Sequence, residues 1–246
     1  MRSHSISAAG GFLFERPHHR RIAALLGALD ADLLARHACW FGGGTAMALR
    51  YGEYRESVDI DFLVWETKGY RALRERLTGP AGVRSIARPG ALLEASREVR
   101  ADQYGIRTLL RTEGVDVKFE IVSEHRIALE VPGPADRVCA VATLTPLDLA
   151  ASKLLANSDR WGDDAVMSRD LIDLAMMLPD ADLFRRALAK AKAAYGKSVA
   201  ADLAKAIEAL RARPQRLDRC MEALQVTTVP KALLWKRIKA LKVLAG

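Results

Sequence analysis

The 246-residue sequence predicts an α/β (α+β) protein, with a mixed helix-and-strand part over residues 1–143 and an all-helical part over 144–246. Three observations carry this. A short apolar run ends in Gly42-Gly43-Gly44, and Val58–Trp65 beyond it is rich in β-branched and aromatic residues. Gln103–Arg111 and Val115–Val122 flank Thr112-Glu113-Gly114, which is a hairpin signal. After about residue 143 the apolar spacing is helical to the end.

The elements follow in order. Residues 21–37 carry apolar side chains at helical spacing. Ala38–Phe41 reads as a short strand running into the glycines. Thr45 is an N-cap residue type ahead of a helix through about Tyr51. Val58–Trp65 is a strand, and Tyr70–Leu77 a helix returning across the sheet, closed by Gly79-Pro80. In Val115–Val122 the period of two puts Val115, Val117, Phe119 and Ile121 on one face and Asp116, Lys118 and Glu120 on the other. Pro132-Gly133-Pro134 marks a connection, and Arg137–Ala142 a last short strand. Thr145-Pro146 then opens a helix through Asn157, proline at the first helical position lacking an N–H that would be unsatisfied there anyway. Ser168–Leu178 is a second helix ending before Pro179. Three or four more are expected, at roughly 181–195, 198–212, 215–225 and 230–244.

Composition narrows the function classes. No apolar run approaches the roughly 20 residues that span a bilayer, so no membrane segment is expected. Residues 1–20 are polar and basic without an apolar core, which argues against a secretory signal. The three cysteines, Cys39, Cys139 and Cys220, form no closely spaced pair and read as buried free thiols in a reducing cytoplasm. Residues 180–246 hold 15 Lys and Arg against 6 Asp and Glu, while the rest of the chain holds 23 against 24. That basic quarter suits a polyanion, RNA first. The glycine run lacks the lysine of a phosphate-binding Walker loop. The histidines show no metal-ligand spacing, and His18-His19 reads as an exposed pair.

The chemistry concentrates in residues 41–64. Asp59 and Asp61 are two apart in a strand and so face the same side. Carboxylates held this close repel unless a cation sits between them, and a hard, oxygen-preferring ion such as Mg²⁺ fits. Gly43, Gly44 and Thr45 offer backbone N–H groups at a helix N-terminus, together with a hydroxyl, for phosphate. Ser57, two residues before Asp59, is a further phosphate donor. Metal and phosphate cradle together indicate nucleotide chemistry.

Gly44-Thr45, thirteen residues, then Asp59-Ile60-Asp61 resembles the signature of the polymerase-β-like nucleotidyltransferases. Gly43-Gly44-Thr45-Ala46-Met47-Ala48-Leu49 with Arg55-Glu56-Ser57-Val58-Asp59-Ile60-Asp61-Phe62 is similar, more narrowly, to the AbiEii/AbiGii toxin nucleotidyltransferase family, which includes the MenT toxins. The resemblance implies a small mixed sheet followed by helices, and two further motifs. Lys153 matches the family's lysine on a helix after the sheet. Arg169-Asp170, with Asp173 beyond it, matches an Arg-Asp segment. It also implies a third carboxylate on a neighbouring strand. Glu120 and Asp116 both stand on the polar face of one strand, and Glu120 is favoured because Lys118-Phe119-Glu120 resembles the family's Lys-x-acid pattern. Arg160, in a predicted loop, is a further substrate cation, and Asp170 is placed to hold Arg160 or Lys153.

The expected function is Mg²⁺-dependent transfer of an NMP group from an NTP to an RNA acceptor, tRNA first, by the cytoplasmic toxin of a toxin–antitoxin pair with a separate antitoxin partner. Two alternatives stand: nucleotidylation of a small molecule of the aminoglycoside type, and a degenerate, non-catalytic nucleotide- or partner-binding protein.

Overall fold

The computed structural model describes residues 14–245, so most of the 1–20 stretch read for a secretory signal lies outside the described residues. Two compact units are present. Among the described residues, one comprises 14–52 together with Ser57–Thr145, and the other Glu53–Glu56 together with 146–245.

The first unit is built on a mixed sheet. Strand β1 (Cys39–Gly42) is antiparallel to β2 (Ile60–Val64), β2 is parallel to β6 (Val115–Ser123), and β6 is antiparallel to β5 (Gly105–Thr112). Two short strands, β3 (Glu94–Ala95) and β4 (Arg100–Ala101), both pair with β5. The parallel β2–β6 contact needs a crossover, supplied by helix α4 (Thr67–Thr78) and the segment after it. Glu113 and Gly114 both take positive φ, the two-residue turn whose twist matches the hairpin. Phe62 packs between Phe41 and Phe119, with ring centroids 5.5 and 5.9 Å away, and all three are fully buried.

Several expected boundaries shift for local reasons. The helix expected over 21–37 is two, α1 (Pro17–Ala28) and α2 (Ala31–Arg36). Leu29 is extended, and the Asp30 carboxylate accepts from the Leu33 amide at 2.8 Å, restarting the helix. Thr45 is not an N-cap. Helix α3 (Gly43–Arg50) already begins at Gly43, and Thr45 is buried within it. The strand expected over Val58–Trp65 begins only at Ile60, leaving Asp59 one residue ahead of it. The single strand expected over Arg137–Ala142 is a tight hairpin, β7 (Arg137–Val138) with β8 (Val141–Ala142).

The second unit is helical: α5 (Pro146–Arg160), α6 (Arg169–Met177), α7 (Ala181–Tyr195), α8 (Ser198–Ala212), α9 (Pro214–Ala223) and α10 (Lys231–Ala245). Leu149, Ala150, Leu154 and Leu155 bury α5 against its neighbours. Helix α6 stops where Leu178 turns left-handed, at φ 52°, just before Pro179. Cys39 and Cys220 are buried and Cys139 half-buried, all three free. Burial alone pushes the Cys139 thiol up to about 11 and that of Cys39 further. Among the described residues, no helix is long and apolar enough to cross a membrane.

Gly69 in α4 shows how tightly this helix is set. A Cβ there would stand 2.4 Å from the backbone carbonyl oxygen of His37, which has no rotamer to yield. Glycine to alanine inside a helix ordinarily stabilises. Gly69→Ala is expected instead to destabilise by about 1–3 kcal/mol, the overpacking range, read as a fall in the thermal unfolding midpoint.

Candidate active site

The β-sheet register sorts the carboxylates of the first unit. Asp61 on β2 is flanked by Gly42 on β1 and Glu120 on β6, and Glu120 in turn by Arg107 on β5. Paired residues of adjacent strands share a face, so Gly42, Asp61, Glu120 and Arg107 form one row. Asp116 stands four residues from Glu120 along β6, opposite Arg111, which holds it at 2.9 Å on an exposed edge. The register therefore puts Glu120, rather than Asp116, beside Asp61.

Gly43 makes the room for Asp61. It sits at φ +68°, and a Cβ there would lie 2.5 Å from Asp61 Oδ2. Any side chain would occupy the space the carboxylate holds. The glycine therefore serves the aspartate as well as opening α3. Thr45 Oγ1 does not face outward. It donates to Ser57 Oγ at 2.8 Å, so the Thr45 hydroxyl is committed to Ser57. Ser57 Oγ, accepting that bond, keeps its own hydrogen for another acceptor.

Glu120 is gripped by two cations, Arg107 Nε at 2.6 Å and Lys118 Nζ at 2.9 Å. Burial disfavours the Lys118 ammonium, but the hydrogen bond and charge of Glu120, with Asp61 and Asp59 behind it, raise its pKa above the usual lysine value. The Asp59–Asp61 pair is a hard-oxygen donor set. Among the described residues no three His, Cys, Asp or Glu side chains gather into a metal cluster. Aspartate oxygens suit Mg²⁺, which keeps waters and substrate phosphates in its own shell rather than demanding an all-protein cage.

The other predicted residues form a second cluster, in the helical unit. Asp170 accepts from Lys153 Nζ at 2.9 Å and from Arg160 Nε and Nη2 at 2.7 and 3.0 Å. Asp173, fully buried, accepts from Tyr54 Oη at 2.6 Å, from Arg55 Nε and Nη2 at 2.7 and 3.0 Å, and from Lys153 Nζ at 2.6 Å. Three cations face two carboxylates, a net charge of about +1; Arg55, Lys153 and both carboxylates are buried, while Arg160 is 34% exposed. Arg160 is the last residue of α5, not a loop cation as expected, and the bidentate bond to Asp170 fixes it. One turn beyond Lys153, the Asn157 amide nitrogen is buried without a hydrogen-bond partner among the described residues. An orphan donor beside excess positive charge suits an anionic ligand.

Over residues 24–240 the sequence matches the family described as nucleotidyl transferase AbiEii toxin, type IV TA system. The chain belongs to the AbiEii family. It is a nucleotidyltransferase of the type IV toxin–antitoxin class, which implies an antitoxin partner. Enzymes of this family in general use a nucleoside triphosphate and a divalent metal. A crystal structure of a candidate nucleotidyltransferase from H. pylori shares the fold, at TM-score 0.50 and 19% identity, covering 95% of this chain and 94% of its own. JHP933 from Helicobacter pylori aligns at TM-score 0.48 and 17% identity, over 93% and 88%. No curated protein matches.

Sequence reasoning missed three features of this AbiEii protein. His19 is fully buried, correcting the exposed reading. Its signal was helical spacing, since Ile22 and Leu26 lie three and seven residues on and line the same buried face of α1. Tyr54 is fully buried, and its pKa is raised well above the ordinary value by burial and by the Asp173 charge, so the phenol stays protonated and donates. Arg107 was not singled out because its partner lies across a hairpin.

Two expectations follow. Gly43→Ala should collapse activity while the protein stays folded, because the new methyl displaces the Asp61 carboxylate. Kinetics beside circular dichroism will show this. For Asp170 and Asp173, burial favours the neutral carboxyl, but Lys153 with Arg160, and Arg55 with Lys153, overcome it and hold both pKa values below 3.8. Carboxylates depressed in the fold stabilise it fully above their unfolded value and lose that stabilisation as pH falls through the folded one. The unfolding midpoint should therefore drop as pH falls below 3.8. Asp170→Asn should cost about 3–5 kcal/mol at neutral pH and flatten that acid slope.

Proposed function

We propose that this protein transfers an NMP group from an NTP to an RNA acceptor, tRNA first, in the cytoplasm and with Mg²⁺ as the metal. The observation that carries the reading is the row on the sheet, where Asp61 has Asp59 just ahead of it in the chain, Glu120 beside it in register, and Gly43 making room for its carboxylate. Transfer breaks the bond between the α-phosphorus and the pyrophosphate oxygen and forms one to an acceptor hydroxyl, whose proton must leave. Asp59 and Asp61 would hold Mg²⁺, which would supply positive charge to the phosphate oxygens. Backbone N–H groups at Gly43 and Gly44 and the Ser57 hydroxyl donate to the phosphates, with Thr45 orienting Ser57. Glu120, once Arg107 and Lys118 release it, takes the proton of the acceptor hydroxyl as the new bond forms and pyrophosphate departs. Lys153 and Arg160, preorganised by Asp170, offer cations for phosphate charge, and the buried Asn157 donor accords with an anion there.

The division of labour follows the sequence: residues 1–143 carry the nucleotidyltransferase core, and 144–246 the second set of motifs and the basic surface. On α10, Lys236 and Lys239 have no carboxylate partner among the described residues, which favours a polyanionic acceptor. One observation favours a small-molecule acceptor instead: many C-terminal cations are paired locally, Arg211 and Lys242 on Glu208, Lys231 on Asp218, Arg213 and Arg216 on Asp164.

The test incubates the protein with each α-labelled NTP, Mg²⁺ and total RNA. Label is expected on a tRNA-sized band and should fall by about 100-fold or more in Asp59→Ala/Asp61→Ala, as when transition-state charge stabilisation is removed. Label on a small molecule alone moves the reading to the second acceptor. No label from any nucleotide overturns both.

A further inference from the structure

Two adjacent histidines of α1 grip the backbone just ahead of the catalytic strand. His19 Nε2 lies 3.2 Å from the Ser57 amide nitrogen, and His18 Nε2 lies 3.0 Å from the Val58 carbonyl oxygen. An amide N–H only donates, so His19 Nε2 must be the acceptor. The ring is then neutral with its proton on Nδ1. A carbonyl only accepts, so His18 Nε2 donates. The pair thus occupies the N–H of Ser57 and the C=O of the residue after it, forty residues away in sequence from His18. Neither group is paired in the sheet, because β2 begins only at Ile60. The third hold is Thr45 Oγ1, which donates to Ser57 Oγ at 2.8 Å. Backbone on one side and hydroxyl on the other are both fixed, and the hydrogen left on Ser57 Oγ has a single arc in which to point.

We infer that His19 is a positioning residue for nucleotide binding: with His18 it clamps the Ser57–Val58 backbone so that the Ser57 hydroxyl is presented ready-made to a phosphate oxygen. The inference rests on the reading above that Ser57 meets the triphosphate. Burial argues for a dedicated role. A fully enclosed imidazole is a costly way to fill a core unless its nitrogens are used. Leucine would fill the same volume and leave the Ser57 N–H without this acceptor. Preorganisation of this kind lowers the ordering cost of binding rather than adding a contact to substrate.

The experiment compares wild type with His19→Leu, His19→Gln, His19→Asn and Ser57→Ala, after circular dichroism on each. Equilibrium affinity is measured for ATP, GTP, CTP and UTP with Mg²⁺, and hydrogen exchange is followed at the Ser57 amide. Glutamine can place its amide oxygen where Nε2 stood, whereas asparagine is one bond too short. His19→Leu and His19→Asn are expected to weaken binding of the preferred NTP about tenfold, the scale of one hydrogen bond, and to speed Ser57 exchange. His19→Gln should restore both. In the double variant with Ser57→Ala, the losses should not add. Should His19→Leu fail to fold, the Gln–Asn comparison decides. Wild-type affinity in His19→Asn alongside weakened binding in Ser57→Ala overturns the inference and leaves the Ser57 reading standing. Wild-type affinity in Ser57→Ala removes the reading itself. Equal losses in His19→Gln and His19→Asn reduce His19 to a packing residue and also overturn the inference.

Discussion

A carboxylate and a helix start compete for the same few cubic ångströms beside Gly43. The Asp61 carboxylate lies 2.5 Å from where a Cβ at Gly43 would stand, and the backbone at that point turns through positive φ to begin α3. Both demands select glycine: one for lack of volume, the other for access to left-handed φ. The sheet then distributes what this position allows. Gly42 pairs with Asp61, Asp61 with Glu120, and Glu120 with Arg107, so a single register fixes all four positions at once. A slip of one residue in β2 would turn Asp61 into the core and Phe62 out of it, which the stacked Phe41, Phe62 and Phe119 rings oppose.

The two units treat charge differently. On the sheet, Glu120 is held by cations that are themselves about half exposed, Arg107 and Lys118, so the grip can be exchanged at modest cost. Among the helices, Asp170 and Asp173 are sunk with Lys153 and Arg55 where water scarcely reaches. Ion pairs in such surroundings repay their desolvation only when nearly every lone pair and proton is used. Here Tyr54, Arg55, Lys153 and Arg160 together saturate the two carboxylates. The result is a stiff scaffold presenting cations in fixed directions, which suits a ligand whose charge is known in advance, such as phosphate.

Much of this was legible in the chain. The glycine run, the alternating aspartates, the hairpin and the change to helical spacing after residue 143 are local patterns, because steric limits on φ and ψ and the periods of two and 3.6 act over neighbours in sequence. They determined the fold class and the family, and helices α7 and α8 fall where spacing put them. What tertiary structure alone decided is which distant groups meet. Glu120 rather than Asp116 stands beside Asp61 because parallel pairing across a long crossover sets the register. Asp30 splits a helix whose apolar spacing runs through it, because its carboxylate takes the Leu33 amide. His19 is buried against Ser57 rather than solvated. A hydrogen bond or ion pair between residues tens of positions apart depends on how whole elements pack, and no window of sequence holds that information.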